Sequence, residues 1–144
     1  MFSLFFKKKY QTLGFEDVQF AIRHSTQFIL INTLSNTEQT CLIPSTLNFS
    51  QEETIINDLI ANYDVRSKNF IVYGRNATDQ TAVAKCEQLL SVGFHNVYLY
   101  PGGIFEWLLL QDVYGVDEFP TIGKLLDLLK FKPCRNFGGY YLTR

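Results

Sequence analysis

FIVYGRNATDQTAVAKCEQLLSVGFHNVYLYPGGIFEW, residues Phe70 to Trp107, is the stretch whose punctuation decides the fold. FIVY is a short apolar run rich in β-branched and aromatic residues, which suits a buried strand. GRNATDQ breaks it with polar residues. TAVAKCEQLLSVG then takes up helical periodicity, with Val83, Cys86 and Leu90 on one face and Ala82 and Leu89 flanking it. Asp79, or Thr78 before it, stands where a helix N-cap belongs, and Gly93 stands where the helix should end. VYLY is a second strand, PGG a tight turn, and IFEWLLLQDVYG opens another helix. Strand, helix and strand joined by short connections predict a right-handed crossover and a parallel sheet.

On the amino-terminal side, GFEDVQFAIRHSTQ predicts a short helix with Val18, Ala21 and Ile22 turned inward, and FILINTL an apolar strand. SQEETIINDLIANYD predicts a helix with Ser50 as cap and Glu53 at the capping-box position; Ile55, Ile56, Leu59 and Ile60 form its apolar stripe. On the carboxyl side, DEFPTIGKLLDLLKFKP predicts one more short helix. Thr121 would cap it, Leu125, Leu126, Leu128 and Leu129 would form its apolar side, and Pro133 would stop it. CRNFGGYYLTR follows without periodicity.

The order IVYGR, then LLSVGFHNVYLYPGGIFEW, resembles the second half of a rhodanese domain. The short signals GF, NV, GG and W fall in that family's order and spacing. CLIPSTLNFS is similar to the family's loop GHIPGAIN, sharing Ile43, Pro44 and Asn48. The resemblance spans roughly Tyr10 to Tyr114. It implies an α/β fold with a central parallel sheet of about five strands and helices on both faces, and a ligand site at the carboxyl end of the Phe70–Tyr73 strand. It divides the chain into an amino-terminal arm (1–9), a rhodanese-like domain (10–114) and a carboxy-terminal extension (115–144) that packs on the domain or on a partner.

The same resemblance shows departures. A sulfur-transferring rhodanese has a cysteine directly after the strand, in a loop whose N–H groups and helix end stabilise a thiolate and then a persulfide. This chain has Gly74. The degenerate loop reads Gly74, Arg75, Asn76, Ala77, Thr78, Asp79. A carboxylate at Asp79 would consume amide donors and repel an incoming anion, leaving Arg75 as the anion-binding candidate. Asn32 and Leu34 stand where the family has an acidic residue and an arginine. Cys41 and Leu42 replace Gly-His, and Ser45 and Thr46 replace Gly-Ala. The resemblance thus implies a pseudoenzyme with no catalytic residue.

Composition bounds the rest. In 144 residues, 47% are hydrophobic and 19% charged, which suits one compact core. Aromatics reach 15%, read first as bulky core and second as contact surface. A net charge of −1 offers no electrostatic case for nucleic acid or an anionic membrane. MFSLFFKKKYQTL has its apolar run ahead of its lysines, the reverse of a secretory signal, and no stretch is long enough to span a bilayer. Phe2, Leu4 and Phe5 are expected to tuck against the domain, with Lys7, Lys8 and Lys9 solvated. Cys41, Cys86 and Cys134 are odd in number and form no metal motif. Cys86 reads as a buried structural thiol, Cys134 as incidental, and Cys41 as the conceivable displaced nucleophile. His24 reads as a surface residue at a helix end and His95 as a connector residue. No cofactor or metal is implied. The expectation is an intracellular, non-catalytic module for protein interaction, assembly or regulation, whose partner is another protein or an assembly. Two alternatives stand beside it: a residual sulfurtransferase or redox protein using Cys41, and a small-anion or phospho-ligand module using Arg75 and the loop amides.

Overall fold

The structure, a computed structural model, describes residues 9–137. The expectations for Phe2, Leu4, Phe5, Lys7 and Lys8 and for GGYYLTR lie outside the described residues. The elements run β1 (Gln11–Thr12), α1 (Phe15–Arg23), β2 (Phe28–Asn32), α2 (Phe49–Ala61), β3 (Asn69–Tyr73), α3 (Gln80–Ser91), β4 (Val97–Tyr100) and α4 (Gly103–Tyr114), with a 3-10 turn at Asn36–Glu38.

All four strands are parallel, in the order β1-β4-β3-β2. The two apolar runs of the quoted stretch, FIVY and VYLY, lie side by side, Phe70 opposite Val97 and Tyr73 opposite Tyr100. Among the described residues, the expected count of about five strands is corrected to four. Beside β2, where one more strand would pair, the chain makes only an isolated bridge between Leu30 and Thr46. There Leu47 N donates to Leu30 O at 2.7 Å, and Ser45 turns the chain away with φ 69°. The two-residue β1 escaped the sequence reading because so short a piece has no periodicity.

Strand alternation divides the core into two. Ile71, Tyr73 and Tyr100 face α1 and α4, meeting Val18, Ala21, Ile104 and Trp107. Phe70, Val72, Val97 and Leu99 face the other way, onto Ala82, Cys86 and Leu89 of α3. The apolar stripe of α2 joins this second layer only partly: Ile56, Leu59 and Ile60 pack against it, but no residue of α2 is fully buried. The helix cap is also corrected. Asn48, not Ser50, is the N-cap, because the helix begins at Phe49, two residues earlier than a Ser50 cap would set it; the Asn48 side chain accepts from Ser50 N. At α3 the reading holds: Asp79 is the N-cap, and Gly93 follows the helix with φ 114°.

The helix expected after Thr121 is absent; residues 121–137 form turns and irregular chain. Leu125 and Leu128 pack against the core, whereas Leu126 and Leu129 are exposed. What positions this segment is aromatic anchoring, not helix periodicity. Phe119 is buried with its ring 5.1 Å from Trp107 in a T-shaped contact, and Trp107 Nε1 donates to Pro120 O at 2.7 Å. Phe131 is the second buried ring.

Candidate functional site

The loop after β3 leaves the carboxyl end of a central strand, between the chain following β2 and the Gly102–Gly103 turn. Gly103 is required there. It has φ 66°, and a side chain on it would meet Gly74 O at 2.6 Å. The close approach lets Ile104 N and Phe105 N donate to the carbonyls of Gly74 and Arg75 at 3.0 and 2.9 Å. The paired glycines therefore dock the loop onto the start of α4.

Within the loop, polar side chains close on backbone donors. Asp79 Oδ2 accepts from Arg75 N at 2.9 Å, while Oδ1 accepts from Thr81 N at 2.9 Å and Thr81 Oγ1 at 2.6 Å. Asn76 Oδ1 accepts from Thr78 N at 3.0 Å and from Thr78 Oγ1 at 2.8 Å. The Asn76 amide donates onward to Phe131 O at 2.9 Å. Partial burial pushes the Asp79 carboxyl up. The Thr81 hydroxyl and the N–H groups of Arg75 and Thr81 outweigh it and hold the group below its ordinary value.

Gly74 and Asp79 are sterically complementary. A methyl built on Gly74 would fall 2.5 Å from Asp79 Oδ2 and 3.0 Å from Thr33 Oγ1. The carboxylate thus occupies the space that any side chain at residue 74 would need. Thr33 closes the far side by sharing a hydrogen bond with Thr81 Oγ1 at 2.9 Å.

Arg75 does not point a bare cation at this space. Its guanidinium forms a two-point ion pair with Glu38, one bond running from Nε to Oε1 at 3.1 Å and the second from Nη2 to Oε2. Glu38 is held below its ordinary pKa by Arg75, and Arg75 is raised by Glu38. Half of the Arg75 side chain remains exposed, so solvent screens the pair. The sequence reading missed Glu38, Thr33 and Thr81. Only Thr81 carried a local signal, two residues after an N-cap aspartate.

The remaining candidates lie apart from this loop. Asn32 is buried, and its Oδ1 accepts from Leu34 N at 3.1 Å, a local turn bond. Cys41 is buried under the carboxy-terminal segment, its thiol directed at Gly123 O at 3.7 Å, and burial raises its pKa. Beside it the Tyr73 hydroxyl accepts from Ile43 N and shares a 2.6 Å bond with Thr46 Oγ1. Cys86 is buried on the inward face of α3, and burial pushes it up to about 12. Cys134 is exposed. His24 lies at the exposed end of α1, stacked on Phe20 with Nδ1 2.9 Å from Phe20 O. His95 is partly buried in the connector, its backbone N–H donating to Val65 O. Among the described residues no cluster of His, Cys, Asp or Glu could hold a metal ion, and no helix is long and apolar enough to cross a membrane.

The family model of the rhodanese-like domain matches residues 13–110. The chain belongs to the rhodanese-like family. Solved structures share the fold of this rhodanese-like domain. One is a yeast protein tyrosine phosphatase of the rhodanese family, 18% identical with a TM-score of 0.60, over 83% of this chain and 96% of that one. The BH2092 protein of Bacillus halodurans is 22% identical with a TM-score of 0.54, over 92% of this chain and 89% of that one. A thiosulfate sulfurtransferase from Pseudomonas aeruginosa is 22% identical with a TM-score of 0.54, over 69% of this chain but only 19% of that one. At these identities the likeness is one of fold. No curated protein matches the chain.

Proposed function

We propose that this rhodanese-like domain catalyses neither sulfur nor phosphoryl transfer at its β3 loop, and serves instead as a protein-interaction, assembly or regulatory module. The observation that carries the reading is the Asp79 carboxylate lying in the space of a residue-74 side chain. A loop without a thiol has nothing to carry a sulfane sulfur or a phosphoryl group. A loop whose amides already serve a carboxylate offers little to an incoming anion. The Arg75–Glu38 pair weighs against the anion-binding reading, and the burial of Cys41 weighs against a displaced nucleophile. Exposed Val113, Val116, Leu126 and Leu129 favour a protein partner along the carboxy-terminal part of the domain. The three free cysteines suit an intracellular setting.

The test is turnover of thiosulfate with cyanide, and of p-nitrophenyl phosphate, by the wild type, Gly74→Cys, and Gly74→Cys with Asp79→Ser. The wild type should be silent. The single variant should stay near blank because its thiol would collide with the Asp79 carboxylate, and the double variant should exceed it. Wild-type turnover with either substrate would overturn the reading.

A further inference from the structure

The carboxy-terminal segment is held in two unequal parts. Its root is pinned to α4 and α1: besides the Trp107 contacts, Gln111 Nε2 donates to Phe119 O at 2.8 Å, and Gln19 Nε2 on α1 donates to Glu118 O at 2.8 Å. Beyond the root the hydrogen bonds run to loops, and Leu125 and Leu128 pack only partly buried against the core. Ile122 and Leu42 exchange backbone bonds of 2.8 and 3.0 Å as an isolated antiparallel pair, Asn76 reaches Phe131 O, and the Phe131 ring is the fully buried side chain. Ile122, Leu126 and Leu129 project outward, and residues 122–131 contain no helix or strand.

We propose that residues 122–131 form a strap that opens as one unit, apart from the sheet, and that its opening uncovers the Cys41 thiol. Local openings draw on segments with few buried contacts and no cooperative backbone ladder, which describes this strap and not the parallel strands beneath it. Cys41 is masked by the strap backbone itself, through Gly123 O. Cys86 lies on the inward face of α3, masked by the opposite face of the sheet, its thiol 3.8 Å from Tyr98 O. Two buried thiols of one molecule therefore report on two different openings.

Gly123 is the point at which the strap can be lifted without touching the core. Its φ is 85°, and a Cβ there would run into the Thr40 carbonyl oxygen. A side chain at this position must raise the strap from the Thr40–Cys41 backbone. The inference is independent of whether the β3 loop is catalytically silent.

The experiment is N-ethylmaleimide labelling of the full chain under native conditions, with each cysteine read by peptide mass spectrometry and scaled to its rate in the urea-unfolded chain. Cys134 should be least protected, Cys41 intermediate and Cys86 most protected. Gly123→Val should raise Cys41 labelling by about tenfold or more and leave Cys86 unchanged. Equal protection of Cys41 and Cys86 in the wild type, or a parallel rise of both in Gly123→Val, would overturn the proposal. Should Gly123→Val not fold, the wild type in sub-denaturing urea decides. A shallower urea dependence for Cys41 than for Cys86 supports the strap, and identical slopes refute it.

Discussion

The β3 loop and the carboxy-terminal strap meet at one hydrogen bond, from Asn76 to Phe131, yet they are closed by opposite means. The loop is closed by charge and polar geometry: a carboxylate accepts from backbone and hydroxyl donors and fills the space left by a missing side chain. The strap is closed by aromatic burial and a single backbone pair. The difference teaches where each is vulnerable. A polar closure answers to protonation and to the pairing of Gly74 with Asp79. An apolar closure answers to the size of one ring.

The largest expected effect separates the core from the strap. Trp107→Ala, which empties a fully buried site and strands the Pro120 carbonyl, should lower global stability by about 3–5 kcal/mol in urea titration. Phe131→Ala should cost clearly less, because global unfolding cannot be weakened by more than the strap's own opening free energy. Equal losses would abolish the distinction between strap and core.

Next in size is the pairing within the loop. Gly74→Ala should destabilise by about 1–3 kcal/mol through overpacking against Asp79. The same change in an Asp79→Ser background should cost less than half as much. An unchanged cost in the second background would mean that the two positions are not complementary.

The smallest effect is in pH. The folded Asp79 carboxyl lies below its ordinary 3.8, so its contribution is complete above that value and is lost as pH falls through the folded pKa. The stability difference between wild type and Asp79→Asn, which keeps the cap geometry, should therefore narrow on acidification from neutrality. Solvent exposure keeps the effect modest. A difference that stays flat into acid would show that the carboxylate contributes shape and not charge.

What could be read from residues alone was whatever is encoded within a few positions. The apolar runs of β3 and β4, the period of α3, its Asp79 cap and its glycine stop are local signals, and each appears where it was expected. The order GF, NV, GG and W identified the family because it repeats a spacing. Where local signals misled, a tertiary contact had taken their place. Leu125, Leu126, Leu128 and Leu129 carry a helix-like pattern, but Phe119 and Phe131 anchor the chain at both ends and Gly123 pulls it onto the Thr40 backbone, so no helix forms. Ser50 was a sound cap by composition, but Asn48 reached the helix end first.

By itself the sequence determined a parallel α/β domain of the rhodanese-like family with no cysteine at the head of its β3 loop, because hydrophobic period, caps and motif spacing act over short distances. Only the tertiary structure decided that Asp79 fills the space beside Gly74, that Glu38 neutralises Arg75 across 37 positions, and that Gly123 covers Cys41 across 82. The first depends on how one loop folds back on itself, and the other two on which loops the packed sheet brings together, which no local pattern records.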